Sequence, residues 1–174
     1  MTKFIALLRA VNVGGTGKLP MKDLAALCEK LGYRQVKTYI QSGNVVFTSD
    51  QTEAKVQAGI EQALTKKMGK PIDVMVRTAA EVRAVLKGNP FPDAPPNRVM
   101  VSFRSSAVTP AMLVGVVAPD GEEVRLGKRE LYIFYPKGLG TSKLKLPKVL
   151  NPMTTRNLNT VGKLADLADA LGPP

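Results

Sequence analysis

Residues 3–11, Lys-Phe-Ile-Ala-Leu-Leu-Arg-Ala-Val, open the chain with an apolar run too short for a helix of its own. A run of that length, followed by a glycine-rich turn, predicts a buried central strand. Pro20 suits a first helical position, and Leu24, Leu27, Cys28 and Leu31 recur on one helical face until Gly32. Residues 35–41 and 44–48 alternate as a hairpin around Ser42-Gly43. A second helix over 52–68 carries Val56, Ile60, Ala63 and Leu64 inward and stops at Gly69. Residues 72–76 alternate as a strand. Strand, helix, strand, strand, helix, strand is the order of the ferredoxin-like split unit.

Thr78-Ala79-Ala80-Glu81 is a capping box for a short helix closed by Gly88, and residues 89–96 then hold four prolines. The second half repeats much of the pattern. Val99, Val101 and Phe103 alternate as a strand, and Thr109-Pro110 starts a helix that Pro119 stops. Residues 122–127 and 130–136 form a hairpin, Ser142 caps a short helix ending near Leu150, and a last helix covers 158–171. The expected organisation is therefore α+β. A first ferredoxin-like subdomain with an appended helix covers 1–88, a proline-rich connector 89–97, and a second subdomain with a C-terminal helix 98–174.

Composition removes much chemistry. The chain of 174 residues is 44% hydrophobic and 22% charged, ordinary for a globular protein. It contains no histidine, which excludes the usual general base, the Ser-His and Cys-His pairs and the commonest metal ligand. One cysteine, Cys28, permits neither an internal disulfide nor a thiolate zinc site, and on the apolar helical stripe it reads as a core thiol. No metal and no cofactor are expected. The N-terminus lacks a signal-peptide pattern, and no apolar run nears the roughly 18 residues of a membrane span. The expectation is a soluble cytoplasmic protein without a membrane partner.

Charge restores some direction. Lys and Arg number 25 against 14 acids, a net charge of +11. From Arg125 to Lys163 nine basic residues accompany one acid, Glu130, whereas residues 51–124 carry nine basic and eight acidic residues. Such a segment attracts phosphates or nucleic acid, although a plainly solvated basic surface reads the same way.

Three clusters are candidates for that role. The first is the turn after the opening strand, with Asn12, Gly14, Gly15 and Lys18. It is no P-loop, since Asn12 stands where the first glycine belongs and Leu19 where a magnesium-binding hydroxyl belongs; Pro20 likewise spoils the dinucleotide fingerprint. It is either a simple turn or an anion-contacting loop. Arg9 beside it is an anion anchor, unless it pairs with a distant acid such as Asp73 or lies in solvent. In the second cluster, Gln41, Ser42 and Asn44 are turn formers that can also supply orienting hydrogen bonds. Ser42 makes a weak nucleophile, because only a lysine could activate it. The third cluster, Ser142 and Lys143 with Thr155, Arg156 and Asn157, sets cations at expected helix N-termini, where they are disfavoured, and so outlines an anion cradle.

Other groups are poor candidates. Glu122 and Glu123 are strand neighbours that face opposite ways. Tyr132, Phe134 and Tyr135 alternate as stacking residues would, but packing explains them equally, and the RNA-recognition signature is absent.

Three longer blocks carry a resemblance. Ile5-Ala6-Leu7-Leu8-Arg9-Ala10-Val11-Asn12-Val13-Gly14-Gly15, Thr38-Tyr39-Ile40-Gln41-Ser42-Gly43-Asn44-Val45-Val46-Phe47, and 154–164 from Thr154-Thr155-Arg156-Asn157 to Leu164 resemble the bacterial domain-of-unknown-function family DUF1697. Leu158 departs from it, since members often carry tryptophan there. The resemblance implies two ferredoxin-like subdomains and no established activity. Two functional readings result: a binding module for a phosphate-bearing or other anionic ligand, nucleic acid included, and a metal-independent enzyme that positions a small anionic metabolite.

Overall fold

The computed structural model describes residues 1–12 and 18–173. Its contacts divide the chain into two compact units, residues 1–83 with 163–173, and residues 84–162.

In the first unit, β1 (Thr2–Leu8), α1 (Met21–Lys30), β2 (Arg34–Thr38), β3 (Asn44–Ser49), α2 (Glu53–Met68) and β4 (Val74–Thr78) follow the expected order. The strands form an antiparallel sheet ordered β2-β3-β1-β4, the ferredoxin-like arrangement. Phe4, Ala6 and Leu8 of β1 share one face with Val45 and Phe47 of β3 and Val74 and Val76 of β4. Leu24 and Cys28 of α1 and Val56, Ile60 and Leu64 of α2 close over that face. Tyr33 stacks on Phe47 with ring centroids 4.5 Å apart. The opposite face, with Ile5, Leu7, Val46 and Met75, is buried as well, which is why β1 reads as continuous rather than alternating. Thr52 caps α2 by accepting from Lys55 N, and Gly69 at φ +73 ends it.

Helix α3 (Ala79–Lys87) begins with the expected capping box. Thr78 N donates to Glu81 Oε1 at 2.9 Å, and Glu81 N donates to Thr78 Oγ1 at 3.1 Å. The contacts part the chain inside this helix, between residues 83 and 84, rather than at 89–97. Two contacts explain the difference. Arg83 is held by Asp166 at 3.0 Å and Asp169 at 2.5 Å in α4 (Leu158–Asp169), which brings the C-terminal residues into the first unit. Phe91, within the proline-rich segment, packs on Phe134 of the second unit at 5.6 Å.

The second unit contains β5 (Val99–Phe103), β6 (Glu123–Leu126), β7 (Glu130–Phe134) and β8 (Thr154–Asn157), ordered β6-β7-β5-β8, the same arrangement again. Its crossovers are not the expected helices. Only a 3-10 turn, Pro110–Leu113, forms after Thr109; Val114, Val116 and Val117 are poor helix formers, and Gly115 lies at φ +97. No helix starts at Ser142 either. Lys145 instead pairs in antiparallel fashion with Val117, and one 3-10 turn, Lys148–Leu150, follows Pro147. Leu113, Leu144, Leu146 and Leu150 from these crossovers cover Met100, Leu131 and Ile133 of the sheet. Strand β8 was not expected, because Thr-Thr-Arg-Asn has no apolar alternation. Pairing with β5 forms it, with Val101 opposite Arg156 and Ser102 opposite Thr155.

Candidate functional site

The first two clusters meet at one end of the first sheet, where β1 ends and β3 and β4 begin. Leu8 N donates to Gly43 O at 2.9 Å, and Arg9 N donates to Asp73 O at 3.0 Å. Gly43 is obligatory: it lies at φ +87, and a Cβ there would come within 2.6 Å of Val11 Cγ2 and 2.9 Å of Leu8 Cβ. Asn12 ties three segments together. Its Nδ2 donates to Leu19 O and to Gln41 O, both at 2.8 Å, while its Oδ1 accepts from Leu19 N at 2.6 Å. Buried Asn44 does the same inside the hairpin, donating to Tyr39 O at 2.8 Å and Ser42 Oγ at 2.9 Å.

The backbone of these loops is unusual. Ala10 (φ +56), Asn12 (φ +56) and Ile40 (φ +50) all occupy the left-handed region. For a β-branched residue such as Ile40 that is an outlier, and outliers of this kind persist only where surrounding contacts over-determine them. Gly14 and Gly15 lie outside the described residues. Lys18 is exposed.

Arg9 does pair with Asp73. Nη1 stands 3.7 Å from the carboxylate, and both side chains are more than two-fifths exposed. The arginine is thus oriented at the rim by an acid that also accepts from its backbone through Asp73 O. An exposed pair at this separation contributes about 0–1 kcal/mol.

The third cluster is taken apart by the structure. Ser142 donates its hydroxyl to the Glu122 carboxylate, which also accepts from Asp120 N. That hydroxyl holds the Glu122 carboxyl below its usual range, against the opposing effect of burial. The Ser142 hydroxyl is thus bonded to an acid. Lys143 is exposed on an extended segment rather than on a helix. Thr155 Oγ1 lies 2.7 Å from Ser102 Oγ, a cross-strand pair. Asn157 caps α4, its Oδ1 accepting from Thr160 N at 2.8 Å.

Arg156 does precede the last helix, α4, and it is buried there. Its Nη1 donates to Thr154 Oγ1 at 2.7 Å and to Thr155 O at 3.0 Å. Burial pulls its guanidinium down to about 10, still high enough to remain charged at neutral pH.

Sequence reasoning missed Arg77, the largest fully buried side chain, whose Nη1 donates to Val76 O at 3.1 Å. The signal was available: Val74-Met75-Val76 leads into an arginine directly before a capping box. Cys28 is the core thiol expected, pushed up to about 12 chiefly by burial. Among the described residues no group of three or more His, Cys, Asp or Glu side chains gathers as a metal ligand set.

Comparison with known proteins agrees with this architecture. A solved structure of a conserved bacterial protein from Streptococcus pneumoniae is similar, with a TM-score of 0.79 at 22% identity, covering 96% of this chain and 98% of that one. At that identity the likeness concerns the fold. No curated protein matches the chain. The profile of a family described as "Protein of unknown function (DUF1697)" matches residues 1–132. That match covers most of the chain, and it includes the strand, the asparagine clasp and the hairpin of the loop cluster: this protein belongs to the DUF1697 family.

Proposed function

We propose that the chain is a binding module for a phosphate-bearing ligand, and that the loops at residues 8–12 and 39–44 of the first unit are its recognition end. One observation carries this reading. Two loops in strained conformations are locked to each other by Asn12, with Asn44 bracing the hairpin from inside, and they hold a guanidinium, Arg9, at the rim in a weak, exposed ion pair. Rigid placement lowers the ordering cost of binding, and a phosphate oxygen can replace the long contact to Asp73 with a shorter charge-assisted one. Asn12, Gln41 and Ser42 add polar groups in the same two loops, and the chain's net charge of +11 favours approach of an anion.

Titration with a short labelled RNA and, separately, with inorganic phosphate tests the reading. RNA affinity falls steeply between about 50 and 200 mM salt if phosphate contacts dominate. Arg9→Ala weakens either ligand by about tenfold, as loss of a charge-assisted hydrogen bond requires. Absence of binding by both ligands, or an Arg9→Ala variant that is folded and binds undiminished, overturns the reading.

A further inference from the structure

The outer surface of the second unit's crossovers has a composition that the folded core does not explain. Residues 110–119, Pro-Ala-Met-Leu-Val-Gly-Val-Val-Ala-Pro, contain no polar side chain at all. Leu113 turns inward onto the core, yet Val114 is 78% exposed and Val117 51%. The second crossover lies directly beside them. Val117 N donates to Lys145 O at 3.1 Å, and Lys145 N donates to Val117 O at 2.9 Å. Along this crossover Leu144 and Leu146 turn inward, while Lys143, Lys145 and Lys148 are exposed and Val149 is 57% exposed. From residue 131 to residue 165 there is no acid. Glu122, which reaches this crossover, is itself buried and bonded to Ser142.

We infer that this face docks on an anionic lipid surface, with Val114, Val117 and Val149 entering the headgroup layer and Lys143, Lys145 and Lys148 resting on the phosphates. Charge complementarity selects the occupant. Protein interfaces are enriched in aromatic residues and arginine and depleted in lysine, the reverse of this patch. A nucleic acid would use the lysines but leave the valines without purpose. Aliphatic tips between lysines suit a lipid interface, where apolar burial and attraction to anionic headgroups add. This is a surface contact; among the described residues no helix is long and apolar enough to cross a membrane.

The full chain is sedimented with vesicles of phosphatidylcholine alone and of phosphatidylcholine mixed with phosphatidylglycerol. Binding appears only with the mixed vesicles and weakens with salt. Replacing all three lysines (Lys143→Gln, Lys145→Gln, Lys148→Gln) lowers partitioning about a hundredfold, at roughly fivefold per charge. Val114→Ser with Val117→Ser lowers it about tenfold, circular dichroism confirming the fold. Because the chain has no tryptophan, Val114→Trp provides a direct reporter, and its emission shifts to the blue on the mixed vesicles. Unchanged emission, equal binding to neutral vesicles, or valine variants that bind like the parent overturn the inference. So does a valine-dependent dimer in solution, which would assign the patch to a second copy of the chain.

Discussion

Arg77 and Arg156 hold the same place in the two sheets. Arg77 on β4 stands opposite Ile5 of β1, and Arg156 on β8 stands opposite Val101 of β5. Each is buried on the last strand of its unit. Each is followed by a residue whose side chain caps the next helix, Thr78 for α3 and Asn157 for α4. The repeat, weak in residue identity along the chain, is thus sharp at this one structural position. Burying a guanidinium is tolerable only because its donors find oxygens, as they do in Val76 O, Thr154 Oγ1 and Thr155 O.

Arg77→Ala leaves a large void and the Val76 carbonyl without this donor, and should cost about 3 kcal/mol or more in urea unfolding. Arg77→Met retains most of the volume and should cost less. Equal losses for the two variants would show that volume plays no part.

Gly43 and Gly69 both have positive φ, but only one meets neighbours. At Gly69 a Cβ meets nothing within 4 Å, so Gly69→Ala should cost about 1 kcal/mol, the conformational penalty alone. At Gly43 the same penalty is joined by overlap with Val11 and Leu8, so Gly43→Ala should cost about 2–4 kcal/mol. Thermal or urea unfolding of the two variants, side by side, measures the difference.

Gln35 ties the C-terminal tail to β2. Its Nε2 donates to Gly172 O at 3.1 Å, and its Oε1 accepts from Gly172 N at 2.9 Å. Gln35→Ala should lose about 1 kcal/mol and expose the tail, seen as faster amide exchange at Gly172 and faster trimming by carboxypeptidase. Exchange at Gly172 that stays as slow as in the parent would refute the tie.

Alkaline pH should destabilise the protein through protons that the folded state retains. Burial raises Cys28 to about 12 from its ordinary 9.0, and Tyr33 and Tyr132 to about 12 from 10.0. Between each pair of values the native state binds more protons than the unfolded chain, so stability falls as pH rises. The urea midpoint should hold steady up to about pH 9 and then decline, more gently at first in Cys28→Ala. A thiol reagent at pH 8 should modify Cys28 only after unfolding.

The loop cluster was partly legible along the chain. Arg9, Asn12, Gln41, Ser42 and Asn44 stood out as polar residues crowding two turns, and the structure brings them to one end of the first sheet. At Ser142 the expected helix does not form, so Lys143 does not sit at a helix N-terminus, whereas α4 does begin just after Arg156 and Asn157. Whether residues 110–119 and 142–150 form helices depends on Gly115, Pro147 and the Val117–Lys145 pairing, and a local pattern does not weigh those against each other.

Local physics was enough to place β1, the helices α1, α2 and α3, the caps of α2 and α3, and both hairpins; Pro20, expected at the first position of α1, stands one residue before it. Apolar periodicity, capping residues and left-handed glycines act within a few positions and are therefore written in the sequence. Tertiary contacts alone decided that the polar stretch Thr-Thr-Arg-Asn is a strand, that Arg77 and Arg156 are buried, and that the chain's last residues return to the first unit. Those outcomes depend on partners far away in the chain, β5 for the strand, β1 and β5 for the burial of the two arginines, and Arg83 for the tail, and no short window of residues contains them.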